Sequence, residues 1–390
     1  MLPGPVRKSR TAYLSPIPNE IYMEIFGYLR PMDPNEWIDA EARQDFRNLA
    51  LVCRFFSSVM LPWIFENLTF VEKDSYSQIS SPLSSTVSAK FCRNVLDGDT
   101  MALLLAKHVK RWAFLGSPTH SKWTPAFLLM YFETFQHLPN LLELSLSNIV
   151  IPKDFFKHLA NVPSLEALIL DNSSFDDGVR EKHLKHFESL SLKRLAVVDL
   201  NINSHFKRLV PHLNMSSLIH LELNFVGRLQ GLTLSNSSLP LESLRLLCVF
   251  DAFEDPLPIV ELLEHTPYLK LLHVRSLHIP RQDFVFSPQV IPQLTELGAS
   301  WSLCAHILPG RPISRLKLFS AWGEANEVKT LARPSNSVTQ LDVSNPHFAD
   351  VPFWEHFPEL EKLEMRAMGF KDTTWGEVCF LSLTQCFHFN

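Results

Sequence analysis

Two stretches, Leu138-Pro139-Asn140-Leu141-Leu142-Glu143-Leu144-Ser145-Leu146 and Val162-Pro163-Ser164-Leu165-Glu166-Ala167-Leu168-Ile169-Leu170, repeat one figure 24 residues apart. In both, a proline precedes the spacing L-x-x-L-x-L. The last two apolar positions alternate, as on the inward side of a strand, and the first packs where the chain turns into that strand. Eight more copies follow, beginning at Leu192, Leu218, Leu241, Leu269, Leu294, Ile313, Val338 and Leu360, in steps of 19 to 28 residues. A strand this short cannot bury its own apolar side. Stacking such strands in parallel, at about 4.8 Å per step, joins their leucines into one continuous core.

Between the strands lie amphipathic stretches edged by proline, such as Pro152 to Val162 and Leu257 to His265, which read as helices on the opposite side. The period and spacing resemble leucine-rich repeat proteins. The resemblance implies an α/β fold, a leucine-rich-repeat solenoid with parallel strands concave and helices convex. Weaker copies at Val109, Trp112, Phe114 and at Val378, Leu381, Leu383 extend the array, the former after an expected helix from Ala89 to His108. One departure concerns the Asn or Cys that many family members carry three residues after the last leucine. Here Ile149, Ser173, Leu200, Val226 and others occupy that position, so irregular turns and uneven curvature are expected.

Composition narrows the chemistry. Of 390 residues 61 are leucine and 12 are glycine, and no G-x-G-x-x-G or G-x-x-x-x-G-K occurs to cradle a phosphate. The net charge of −5 offers no overall field for nucleic acid or an anionic membrane. Neither partner is expected. Apolar runs stay far below the ~20 residues of a membrane span, and no h-region follows the basic cluster Arg7, Lys8, Arg10. The six cysteines are scattered without a C-x-x-C pair, which suits reduced thiols better than disulfides or zinc. Together these features predict an intracellular chain, cytoplasmic, nuclear or both.

Residues 14–65 have another rhythm. Ile21, Ile25, Tyr28 and Leu29 form a helical stripe after Pro18, and a second stripe runs through Leu49, Val52, Cys53, Phe56 and Val59, with Pro62 as its expected stop. Helices this few and short bury too little to stand alone. The matches at Leu14, Pro18, Glu20, Ile21, Ile25, Phe26 and Leu29, then Leu49-Ala50-Leu51-Val52-Cys53-Arg54 and Phe56, then Ile64-Phe65 and Leu68, resemble an F-box of the fungal kind. About ten extra residues within Pro31 to Asn48 separate the two halves and are expected to form a loop. The domain reading is therefore a flexible N-terminus over 1–13, a small all-α F-box over 14–65, a Ser-rich linker or irregular first turn over 66–90, and the solenoid over 91–390.

What the F-box resemblance implies is a substrate-recognition subunit of a Skp-cullin-F-box type ubiquitin ligase. Pro18, Ile21, Ile25, Leu29, Leu49, Val52 and Phe56 would bind a Skp-type adaptor, and through it a cullin ligase. The repeats would hold a target protein. Such a subunit works by proximity and needs no catalytic group or cofactor. No G-x-S-x-G or H-E-x-x-H occurs, and the pair His183 and His186 lacks a third ligand at a favourable spacing, so neither an enzyme nor a metal site is expected. By register, Arg245, His273, Arg275, Arg315, Lys317 and Arg366 face the concave surface, with positive charge rising toward the later repeats. That surface is the expected place for an acidic target segment. The competing reading is a repeat scaffold unconnected with ubiquitination, whose N-terminal helices only cover the first apolar edge.

Overall fold

In the computed structural model, which describes residues 17–29, 40–71, 83–116, 125–198, 209, 212–223, 238–247, 262–275, 287, 289–319, 337–343, 357–365, 367–368 and 380–381, the leucine figure lies on short parallel strands. The chain forms two units, 1–169 with 173–186, and 170–172 with 187–390.

The first unit opens with three helices, α1 (Asn19–Gly27), α2 (Ala40–Ala50) and α3 (Arg54–Glu66). Strand β1 (Asn67–Val71) follows without a break, then α4 (Leu83–Leu96), α5 (Thr100–Ala106), β2 (Arg111–Leu115), α6 (Pro125–Thr134) and β3 (Glu143–Ser147). A short β4 (Val150–Ile151), α7 (Phe155–Leu159), β5 (Ala167–Asp171), β6 (Ser174–Phe175) and α8 (Glu181–Leu184) come next. Its main sheet has the order β1-β2-β3-β5. Trp112 pairs with Leu68 and Leu144, and Phe114 with Phe70 and Leu146. Aromatic side chains fill this core: Phe70 packs on Trp112, Tyr131 and Phe132 both pack on Phe114, and Phe132 packs on Phe155, with ring centroids 4.6 to 5.9 Å apart at these contacts.

In the second unit the strands β7 (Arg194–Val198), β8 (His220–Leu223), β9 (Ser243–Leu247), β10 (Leu271–Arg275), β11 (Glu296–Ala299), β12 (Arg315–Leu318), β13 (Gln340–Val343) and β14 (Lys362–Met365) lie side by side in chain order. The register aligns Leu221, Leu244, Leu272, Leu297, Leu316, Leu341 and Leu363 in one inward row. This is the leucine-rich-repeat architecture expected from the spacing, an α/β fold. Its core is aliphatic, so period and register alone specify it.

Backbone bonds explain why every repeat starts its strand alike. The carbonyl just before one strand accepts two successive N–H groups of the next repeat: Lys270 O from Thr295 and Glu296, Thr295 O from Ser314 and Arg315, Ser314 O from Thr339 and Gln340. Side-chain hydroxyls add a second rung. Thr295, Ser314 and Thr339 donate to the same carbonyls, those of Lys270, Thr295 and Ser314, at 3.2, 3.4 and 3.4 Å. In the first unit the missing asparagine has one substitute: the buried Ser173 hydroxyl donates to Leu146 O and accepts from Ile149 N–H.

Four sequence expectations need correction. The segment between the F-box halves is not wholly a loop, because Ala40–Ala50 is helical and buries Phe46. Pro62 does not stop the second stripe; α3 passes through it to Glu66, held by packing of Met60, Trp63 and Ile64. The region 66–90, read as a Ser-rich linker or irregular first turn, opens with a regular strand, since β1 pairs with β2 in register, and α4 begins at Leu83; residues 72–82 between them lie outside the described residues. The helix expected over Ala89 to His108 is broken at Gly98, whose φ of +78° suits glycine, and restarts where Asp99 accepts the Ala102 N–H at 2.8 Å.

Candidate interaction surfaces

Helices α1 to α3 close around Phe26, Phe46, Phe55, Val59 and Met60, with Tyr22, Leu49, Ala50, Cys53, Phe56, Trp63 and Ile64 packed against them. Aromatics anchor α1 and α2 on α3: Phe26 and Tyr22 meet Phe56 at 4.9 and 5.3 Å, and Phe46 meets Trp63 at 5.5 Å. Cys53 caps α3 by accepting the Phe56 N–H. The remaining apolar residues face outward. Ile21 is 44%, Ile25 49%, Leu29 40% and Val52 64% exposed, joined by Ile17, Met23, Tyr28 and Leu51. Single exposed apolar residues are ordinary, but eight of them over residues 17–29 and 51–52 make this the candidate docking surface of the first three helices.

The structure therefore divides the seven residues assigned to adaptor binding. Pro18, Ile21, Ile25, Leu29 and Val52 are exposed, whereas Leu49 and Phe56 turn into the small core. Met23 is not singled out in the sequence, and Tyr28 and Leu51, though part of the stripe and of the F-box match, are not among the residues assigned to adaptor binding. For Met23 and Tyr28 the signal is the number of apolar residues around α1 and its end, more than a three-helix core can absorb; Leu51 sits in the turn between α2 and α3. Leu14 lies outside the described residues.

The strand side of the second unit carries two outward rows. In one, His220, Ser243, Leu271, Glu296, Arg315, Gln340 and Lys362 succeed each other across β8 to β14. In the other stand Glu222, Arg245, His273, Gly298, Lys317, Asp342 and Glu364. Of the assigned target residues, Arg245 and Arg315 are exposed and Lys317 is half-buried. His273 is buried, with its Nε2 2.9 Å from Glu296 Oε1 and its ring edge-on to Phe319. Arg275 ends β10, and Arg366 lies outside the described residues.

Positive charge does not simply accumulate here. Lys317 Nζ is 3.6 Å from Asp342 and 5.7 Å from the Phe319 ring centroid, and Lys362 Nζ is 3.9 Å from Glu364. The His273 hydrogen bond, with help from Arg315 and Arg245, holds the Glu296 carboxyl below the usual carboxylate range despite its burial. The His273–Glu296 and Lys317–Asp342 pairs join neighbouring strands and could not be read along the chain, whereas Lys362 and Glu364 pair within β14.

Other reactive side chains are occupied. Arg180 N–H donates to His183 Nδ1 at 2.9 Å, so that ring caps α8. Burial pushes the Cys92 thiol up to about 12, which keeps it protonated and unreactive. Among the described residues no group of three His, Cys, Asp or Glu is placed to hold a metal ion, and no helix is long and apolar enough to cross a membrane.

Known proteins add little to this geometry. No protein-family model and no curated protein matches the chain. Among solved structures it is similar to the internalin InlF of Listeria monocytogenes (12% identity, 68% of this chain and 63% of that one, TM-score 0.29). Internalin C2 of the same organism is also similar (15% identity, 60% of this chain and 83% of that one, TM-score 0.28). So is TLR13 in complex with ssRNA13 (15% identity, 70% of this chain and 38% of that one, TM-score 0.30).

Proposed function

We propose that this chain is a non-catalytic substrate-recognition subunit of a Skp-cullin-F-box type ubiquitin ligase. The observation that carries the reading is the exposed apolar surface of α1 and the α2–α3 turn. Residues that match the F-box pattern leave Ile21, Ile25, Leu29 and Val52 in solvent while six aromatics, Tyr22, Phe26, Phe46, Phe55, Phe56 and Trp63, hold the helices together. Covering those four side chains contributes about 1 kcal/mol each, given that a wholly buried Ile or Leu is worth roughly twice that. The repeats would present a target protein to the ubiquitin-loaded enzyme, supplying proximity rather than chemistry.

The test is coexpression of the full chain with a Skp-type adaptor. Ile21→Asp combined with Val52→Asp abolishes co-purification and leaves thermal unfolding unchanged. Adaptor binding that survives in the folded variant removes the ligase reading. A second reading, a repeat scaffold not linked to ubiquitination, draws on α3 running directly into β1, with Glu66 O accepting the Lys110 N–H at 2.9 Å, so that the helices continue into the first strand of the sheet.

A further inference from the structure

Over β11 to β14 the two outward rows leave an open depression of about 170 Å³. Its acidic groups already have partners: Glu296 has His273, Asp342 has Lys317, and Glu364 has Lys362. The Arg315 guanidinium and the Gln340 amide make no hydrogen bond or ion pair among the described residues, although Gln340 is half-buried. Register places Arg315, Gln340 and Lys362 on three successive strands of one row. At about 4.8 Å per strand, these side chains form a line of donors roughly 10 Å long.

We infer that this line binds one carboxylate of a target polypeptide, whose neighbouring basic group rests over Asp342 and Glu364. The Arg315 fork takes the carboxylate oxygens side by side, the Gln340 amide donates a third bond, and the Lys362 ammonium closes the far end. Asp342 and Glu364 stand two residues along the strands from Gln340 and Lys362, about 7 Å away. They repel a second negative charge and attract a positive one. The charged lining sums to zero, with Arg315, Lys317 and Lys362 against Glu296, Asp342 and Glu364. A carboxylate with a basic neighbour therefore suits the site better than a doubly charged phosphoryl group or an acidic run. Specificity comes from the mismatched alternatives as much as from the attraction.

The inference rests on the repeats being the target-binding part, and its experiment is independent of the adaptor. Synthetic 12-residue peptides carrying one Glu and one Arg, at separations of one to five residues in a Ser/Ala background, are titrated against the full chain. Matched sets replace Glu by Gln, Glu by phosphoserine, or Arg by Glu. The expected result is that at least one Glu/Arg spacing binds tenfold or more tightly than all three replacements. Arg315→Glu with Lys362→Glu removes that preference, and the separate single variant Gln340→Glu weakens it. Equal binding by the doubly substituted chain, preference for phosphoserine or for the all-acidic set, or no selective binding by any peptide overturns the inference. Loss of adaptor co-purification with peptide selectivity intact would sink the ligase reading and leave this site standing.

Discussion

The imidazole of His273 reaches across from β10 to hydrogen-bond Glu296 on β11, and its ring lies over Gly298 on that same neighbouring strand. Glycine is required there by space rather than by backbone conformation. A Cβ at position 298 would fall 2.5 Å from His273 Cδ2 and 2.9 Å from Phe319 Cε2. The Gly298→Ala variant must therefore push the ring off its strand and break the bond to Glu296. A loss of about 1 to 3 kcal/mol is expected, as for overpacking elsewhere. Chemical denaturation of Gly298→Ala, Glu296→Gln and the combination should show strong non-additivity, because the first change already removes what the second deletes.

Acid should weaken the same junction. Since the folded Glu296 carboxyl titrates below its ordinary value of 4.5, chiefly through His273, the unfolded chain takes up its proton first as pH falls. The pair thus contributes stability above about pH 4.5, and this is lost as pH drops through the lower folded value. Glu296→Gln removes this source of acid sensitivity. Urea midpoints measured between about pH 6 and about pH 3 should fall less steeply for the variant; parallel curves would mean that the carboxyl is not held by His273 in solution.

Arg311 presents a buried charge with no carboxylate partner among the described residues. Its guanidinium donates to four backbone carbonyls, Val290 at 3.1 Å, Pro309 at 3.3 Å, Ser287 at 2.6 Å, and Ile307. It ties the turn after α9 (Trp301–Ile307) to the turn before β11. Arg311→Met leaves those oxygens without their donor at a cost on the order of 3 kcal/mol. Arg311→Lys recovers little, since an ammonium on a single stem lacks the planar fork that spans them. Thermal unfolding of both variants decides this, and a lysine variant as stable as the parent would show that charge alone suffices.

How much was legible along the chain follows from where each interaction lies. Leu272, Leu297 and Leu316 declared themselves because a period of two within a period near 24 survives any local irregularity. Helix α2 did not, because AEARQDFRNLA, which buries Phe46, reads as a polar insertion. The exposure of Ile21 and Val52 followed from the family pattern, yet the inward turn of Leu49 and Phe56 required knowing that α2 exists to be packed against. The hydroxyl rungs at Thr295, Ser314 and Thr339 have no spacing of their own beyond the repeat. Charge pairs such as Lys317 with Asp342 join residues 25 apart in sequence, so a list of cations by position overstated the positive surface.

The division of the N-terminal residues into two groups supplies the sharpest contrast. Phe56 lies within 5.3 Å of the Tyr22 ring and 4.9 Å of the Phe26 ring, so it joins α1 to α3. Phe56→Ala removes that joint and should cost about 2 to 3 kcal/mol, somewhat less than truncation of a wholly buried aromatic. Leu49→Ala acts in the same direction by loosening α2. Val52→Asp and Ile25→Asp replace exposed side chains and should change stability by no more than about 0.5 kcal/mol, while making the free chain more soluble by breaking the apolar surface. Hydrogen exchange over residues 19–66, read beside light scattering of the purified chain, separates the two outcomes. Protection should fall for Phe56→Ala and Leu49→Ala alone, and scattering should fall for Val52→Asp and Ile25→Asp alone. Loss of protection in Val52→Asp would place that side chain in the core and shrink the docking surface to α1.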